Sequence, residues 1–469
     1  MKARWFGVVV LALLVAGVMP LLASCDLKPR ATPAAGGDLA ALKSALDKDG
    51  FAVQEGQLAK FDLVPLCCAG KTPTCMANNA GAPYMTSILP KAPAQTAENT
   101  LPWLFRLGAD EAVVIVGRTP PPMAYYSYQP FRMIVYSERE AAAKIIFEPL
   151  GDTINNLTIQ TDGPAAEPFN RNVLIIVTAD RGVDKRVRAA AGAAGYPAGI
   201  INTSVVAAAL TRPGVDQQAD EFAFVHRMFL PNQEQAMADY QNTPQVALRI
   251  TPKTSIPRDP FPVPELRVRG TGTTEMDLLP AVADLRKAIL AKYDGWQAAE
   301  LTTSVWLTDG YDGMQREINQ YGPTRDALYL RTDPFFKLTD SPDEFVIVYG
   351  VNHEATGKAT YSNLSIYADP NLLLGIVSEN SRRFAGSAKD YLPNHPQADK
   401  LYAWKVARNC QGDPHCLEVK LSVDCARLNL DALPDLWMGF RAYLEPKTKV
   451  GPAFTEVVYD RVIHFSPRR

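Results

Sequence analysis

Residues 110–117 read Asp-Glu-Ala-Val-Val-Ile-Val-Gly, and residues 343–350 read Asp-Glu-Phe-Val-Ile-Val-Tyr-Gly. In both, an acidic pair leads into five apolar residues and a glycine, with identical spacing. A short apolar run rich in Val, Ile, Phe and Tyr and bounded by turn-forming residues reads as a strand. Its return in the second half raises the question of whether the whole chain is written twice.

Landmarks on either side support that reading. Upstream, Phe105-Arg106-Leu107 answers to Phe336-Lys337-Leu338, and the helix-like LKSALDKDG ending at Asp49-Gly50 answers to LRKAILAKYDG ending at Asp294-Gly295. Downstream, Tyr126-Ser127 is matched to Tyr361-Ser362, and the run opening at Asn172 to the run opening at Asn371. Ala219-Asp220 is then matched to Ala398-Asp399, and Pro252-Lys253-Thr254 to Pro446-Lys447-Thr448. The offsets differ, so order is kept while loops change length. The expected units run over residues 38–270 and 273–469.

Each unit opens with an amphipathic helix; in the second, Leu278, Leu279, Val282, Leu285, Ile289 and Leu290 recur at helical spacing. Strands are predicted over 112–116, 173–177, 345–349 and 372–377, with further helices near 184–194 and 233–240. Strands predominate and helices intervene irregularly. The fold class is therefore α+β: two related units from internal duplication, each a mainly antiparallel sheet with a few helices.

The N-terminus carries a different signal. Lys2 and Arg4 precede an apolar stretch from Trp5 to Val18, and Leu22-Ala23-Ser24-Cys25 follows. A positive segment, a hydrophobic segment and a small-residue cleavage site make an export signal over residues 1–24. Leu22-Ala23-Ser24-Cys25 resembles the lipobox of bacterial lipoproteins. The resemblance implies that Cys25 is lipidated, becomes the first mature residue and holds the protein to the cell membrane from outside the cytoplasm. An uncleaved membrane anchor is the competing reading, since the apolar stretch is about the length needed to span a bilayer. Asp26 resembles the inner-membrane retention signal of some enteric lipoproteins, a rule that varies between lineages. Residues 25–37, rich in Pro, Ala and Gly, read as a flexible tether of roughly 20 Å reach.

Hydrophobic residues make up 47% of the chain and charged ones 21%, an ordinary globular composition. The net charge of −2 becomes −4 once Lys2 and Arg4 are removed, and there is no basic stripe, so nucleic acid is not an expected partner. Setting Cys25 aside leaves six of the seven cysteines: Cys67, Cys68, Cys75, Cys410, Cys416 and Cys425. An even set in an exported protein points to disulfides. Three fall in each unit, and an odd number cannot pair off within itself, so full oxidation requires a bond between units. Short-range closure favours Cys75 with Cys67 or Cys68, and Cys410 with Cys416, leaving Cys425 for the remaining vicinal cysteine.

Chemistry is harder to find. The five histidines form no H-E-x-x-H site, and nucleophile elbows, P-loops and dinucleotide fingerprints are missing, so no cofactor is expected. His226 and His464 sit in apolar strand-like surroundings and read as structural. Two polar constellations remain. His353, Glu354 and Lys358 flank Gly357 in the link after the second strand of the opening pair, reading as a solvated hairpin loop or an acid-base site. Asp309 and Asp312, in a glycine-rich turn, offer oxygens to calcium but lack the full EF-hand pattern, so no metal site is assigned. The expected function is a non-catalytic envelope lipoprotein whose units present a binding or structural surface to a protein or glycan. The alternative is an extracytoplasmic hydrolase of an envelope or extracellular polymer, whose carboxylates meet only in the fold.

Overall fold

A computed structural model describes residues 36–307, 309–421, 424–428 and 433–468. The export signal, Cys25 and nearly all of the tether lie outside these residues. Among the described residues no helix is long and apolar enough to cross a membrane.

The first part contains strands β1 (Phe51–Phe61), β2 (Tyr84–Ile88), β3 (Ala112–Arg118), β4 (Met123–Ser137), β5 (Ala142–Pro149), β6 (Ile154–Asn155), β7 (Asn172–Thr178), β8 (Ile201–Val205), β9 (Glu221–Pro231) and β10 (Gln245–Pro252). Helices α1 (Leu39–Lys48), α2 (Val64–Cys68), α3 (Arg181–Ala193) and α4 (Glu234–Gln241) are set between them. Asp38 caps α1, its carboxylate accepting the amides of Ala40 and Ala41 at 2.8 and 3.1 Å. The second part contains α5 (Leu279–Lys292), β11 (Trp296–Val305), α6 (Asp312–Arg316), β12 (Ala327–Asp333), β13 (Phe345–Val351), β14 (Tyr361–Ala368), β15 (Leu374–Asn380), α7 (Ser381–Phe384), β16 (Leu401–Ala407), β17 (Cys416–Glu418), β18 (Leu436–Tyr443) and β19 (Arg461–Pro467).

The two sheets have the same topology. The first is ordered β5-β4-β9-β2-β1-β10-β3-β7-β8, with β6 beside β4; the second is ordered β15-β14-β18-β12-β11-β19-β13-β16-β17. Every strand of the second has its counterpart in chain order, and only β6 is unmatched. All pairings are antiparallel except β7 with β8 and β16 with β17, the same pair in each sheet. In the first unit α3 makes that parallel crossover. In the second, residues 408–415 make it without a helix, and the bond from Cys410 to Cys416 closes the short connection.

The opening stretches are β3 and β13, each covered on both faces, which explains runs without polar alternation. Val113 and Ile115 share a core with Tyr126 and Tyr128 of β4 and Phe222 and Phe224 of β9, so the sheet curls until distant strands face one another. Ala112, Val114 and Val116 pack outward beneath α1 and α3. The second sheet repeats this, with Val346 and Val348 inside and Phe345, Ile347 and Tyr349 beneath α5. The shared acids are structural in both: Glu111 accepts the Gly108 amide at 2.7 Å and pairs with Arg249, while Glu344 accepts the Thr339 amide at 3.0 Å and lies 3.2 Å from His464. The shared glycine also has a reason at Gly117, where a Cβ would fall 2.1 Å from Gln245 Oε1.

The upstream landmarks coincide with equivalent positions, but the downstream ones are corrected. Register makes Tyr125 the partner of Tyr361, since Tyr125 faces Phe229 and Tyr361 faces Tyr443 just before left-handed Leu230 and Leu444. The run from Asn172 is β7, whose counterpart is β16; the run from Asn371 enters β15, the counterpart of β5. Likewise the strand after Asp220 corresponds to β18, and Pro252 to Pro467. Buried strands resemble one another in composition, so once loops diverge an apolar run aligns as well with the wrong strand as with the right one.

Candidate functional site

The two units exchange loops. The β1–β2 connection of the first carries α2, Cys67, Cys68 and Cys75 into the core of the second sheet. The β11–β12 connection of the second carries Met314, and partly buried Tyr311, into the core of the first. Each visiting loop lies along the other unit's end strand: the Gln320 and Gly322 amides donate to Ile146 and Phe147 carbonyls of β5, and the Cys75 amide donates to the Leu372 carbonyl beside β15. An open sheet edge is thereby covered in each unit. Cys67 bonds to Cys75, and Cys68 to Cys425 of the second unit, so the visiting helix α2 is tied covalently to its host. These three sulfurs are the one group of metal-ligating side chains brought together among the described residues, and disulfide bonding occupies them all.

Where the loops cross, the junction is aromatic and symmetric. Tyr125 meets Tyr443 at 4.7 Å between ring centroids and Phe229 meets Tyr361 at 5.5 Å, the same contact seen from either unit. Phe229 and Tyr443 touch each other at 4.9 Å, on the local axis. Beside them Asp326 is fully buried, accepting bonds from Tyr125 at 2.9 Å, Asn155 at 3.0 Å and Thr153. Burial lifts its carboxyl to about 6, against those three donors.

Next to this cluster lies a cavity of about 80 Å³ lined by both units. Its walls are built from equivalent pairs: Phe61 with Trp306, Tyr84 with Tyr329, and Arg227 with Arg441. The likeness extends to details, since the Tyr84 hydroxyl accepts the Asn79 amide at 3.2 Å and the Tyr329 hydroxyl accepts the Thr324 amide at 2.9 Å. Arg227 lies over the Phe131 ring at 4.9 Å, and Arg441 over the equivalent Tyr367 ring at 5.7 Å. Both arginines are over nine-tenths buried, and among the described residues neither pairs with a carboxylate. No Asp or Glu lines the cavity. Two donors of its lining residues, Arg227 Nε and Asn79 Nδ2, are buried without a partner. Buried guanidinium is costly unless its charge and donors are met, so the cavity is electropositive and short of acceptors.

The polar residues singled out from the sequence are arranged differently. His353 and Lys358 are buried, not in a solvated hairpin loop. His353 does not pair with Glu354; its Nδ1 lies 3.0 Å from both carboxylate oxygens of Glu275. Burial opposes charge on this imidazole, but Glu275 outweighs it and lifts it to about 9. Lys358 is held between Glu445 at 2.7 Å and Glu456 at 2.5 Å, and Glu354 accepts from Ser381 at 2.6 Å. The three residues thus pin the β13–β14 link to the segment around Glu275, to the start of α7 and to the β18–β19 connection. Asp309 is likewise committed: Arg269 donates to it at 2.8 and 3.0 Å and Arg325 at 3.1 Å, while exposed Asp312 stands apart at the start of α6. Burial raises the Asp309 carboxyl, and the two arginines bring it below its ordinary value. Its oxygens serve guanidinium, so this turn, to which no metal is assigned, is an ion-paired strut.

One carboxyl has the environment expected of a hydrolase acid. Burial, with the charge of Asp312, pushes Glu148 up to about 8. It is nevertheless sealed beneath Gly313 of the visiting loop, where a Cβ would lie 1.6 Å from its Oε1, and it lines none of the cavities described. His226 is structural as expected: stacked on Tyr128 at 4.0 Å, 3.0 Å from the Ser127 carbonyl, and held by burial near 3.

Sequence reading passed over the junction arginines, although a faint signal marks them. Arg227-Met-Phe-Leu and Arg441-Ala-Tyr-Leu share an Arg-x-aromatic-Leu pattern at equivalent strand ends. No family model and no curated protein matches the chain. It is similar to a crystal structure of an uncharacterized protein from Burkholderia cenocepacia, at 12% identity and a TM-score of 0.39, covering 90% of this chain and 86% of that one.

Proposed function

We propose that this protein is a lipid-anchored, extracytoplasmic binding protein that holds a ligand at the junction of its two units and does not transform it. The observation that carries the reading is the cavity itself, built from equivalent residues of both units, with two lining residues that hold unpartnered buried donors. Cavities at domain junctions with few, well-placed polar groups are common ligand sites. The lipobox-like Leu22-Ala23-Ser24-Cys25 and the three disulfides suit the same address. At about 80 Å³ the space suits a small molecule or the end group of a larger one.

Native mass spectrometry of protein taken gently from its own membranes tests this. A bound small molecule is expected, absent from a Val225→Trp variant that fills the cavity, and chemically unaltered after prolonged incubation. An empty wild-type protein would count against the junction, and turnover would favour the hydrolase. Incorporation of labelled palmitate, lost in Cys25→Ser, tests the anchor.

A further inference from the structure

We infer that the junction cavity selects a small organic carboxylate, whose charged end meets Arg227 and Asn79 near Arg441 and whose apolar end faces Phe61 and Trp306. The inference rests on the binding role proposed above and adds the chemical class of the ligand.

Charge decides the class first. Two arginines from two units line one cavity, and among the described residues neither has a carboxylate partner. Arginine stays protonated in proteins, so both charges are permanent. Their existing partners are neutral: Arg227 donates to the Gly322 carbonyl, and Arg441 to the Ala77 carbonyl, the Ser365 hydroxyl and the Tyr367 hydroxyl. Neutral acceptors satisfy hydrogen bonds without neutralising charge. In a buried site of low effective dielectric an anion gains more from two such groups than it would in water.

Hydrogen bonding narrows the choice. The unpartnered atoms, Arg227 Nε and Asn79 Nδ2, are both donors, so they ask for acceptor oxygens. A carboxylate is acceptor-only and suits guanidinium geometry. Among the described lining residues, no buried side-chain acceptor is left without a partner to ask for a cation or an amine. The remaining lining separates carboxylates from inorganic anions, because Phe61, Leu63, Met76, Trp306 and Leu307 would leave a phosphate or sulfate half dehydrated against apolar surface. A short aliphatic tail removes that penalty. The cavity volume limits the tail to a few carbons before the ligand must project outward.

Isobutyrate and isobutyramide have the same shape and differ in charge, and they form the test. Methyl signals of Leu63, Met76 and Leu307 in the oxidised protein report occupancy of this cavity. At constant ionic strength isobutyrate should shift them with at least tenfold higher affinity than isobutyramide. Arg227→Gln should abolish that preference and Arg227→Lys should keep part of it. Equal binding of acid and amide by the wild-type protein would overturn the carboxylate assignment and leave the junction site standing. Inorganic phosphate matching isobutyrate would overturn the apolar half of the assignment. If none of the three moves these methyl signals, both the inference and the junction reading fail.

Discussion

Arg227 and Arg441 occupy the same place in their respective sheets, and each donates to a main-chain carbonyl of the loop that the other unit sends across: Gly322 O at 2.6 Å and Ala77 O at 3.2 Å. The arginines therefore latch the exchange of loops reciprocally, besides lining the cavity. Each hydrogen bond of a charged donor contributes about 1.5–3 kcal/mol. Arg227→Gln should loosen residues 313–322, and Arg441→Gln residues 75–79, each in the opposite unit. Hydrogen exchange by mass spectrometry reads this directly. Loosening confined to the mutated unit would refute the latch.

The cross-unit disulfide should act on the same exchange. Replacing Cys425 by Ser frees α2 from its host and should cost about 2–5 kcal/mol of stability. Fragmentation of non-reduced peptides should give Cys67 with Cys75, Cys68 with Cys425 and Cys410 with Cys416. Two free thiols in mature protein would contradict this connectivity.

Alkaline pH should strain the junction through Glu148. Its carboxyl is raised to about 8 in the fold from an ordinary value of 4.5, so its favourable contribution is complete below about 4.5 and is lost as pH rises through 8. His353 adds to the alkaline loss, because its folded value of about 9 exceeds 6.5 and its ion pair with Glu275 fades as pH rises through 9. Glu148→Gln removes the first titration. Its melting temperature should gain on the wild type steadily from pH 5 to pH 8.5, and a pH-independent difference would refute the assignment.

Acid should work through a different residue. His226 is buried neutral with its folded value near 3, so its contribution is complete above about 6.5 and is lost as pH falls toward 3. Unfolding of a His226→Gln variant should be less sensitive to acid over that range. An unchanged slope of stability against pH would show that the imidazole is not the sensor.

Calcium should leave the melting temperature unchanged at millimolar concentration, because Arg269 and Arg325 already engage the Asp309 carboxylate. Asp309→Asn should destabilise by about 1–3 kcal/mol, since it leaves Arg269 without its counter-charge and Arg325 with Asp152 alone. A calcium-dependent rise in melting temperature, abolished in that variant, would restore the cation site.

The sequence by itself determined the elements whose residues signal through local pattern. The acid pair, apolar run and glycine located β3 and β13, because strands covered on both faces must be continuously apolar. The parity of cysteines, three in each unit, requires a bond between units once all six are oxidised. Periodicity placed α1, α3, α4 and α5. Tertiary structure alone decided how the halves meet. Loops that cross from one unit to the other carry no local mark of their destination, so nothing near Cys68 or Met314 announces that each packs in the opposite core. For the same reason His353 found Glu275, 78 positions away in the chain, and left Glu354 to Ser381. Arg227 and Arg441 look like ordinary strand residues one at a time. Their meaning arises when duplication, loop exchange and sheet curvature bring both to a cavity without a carboxylate, a coincidence of distant residues that only the folded chain can produce.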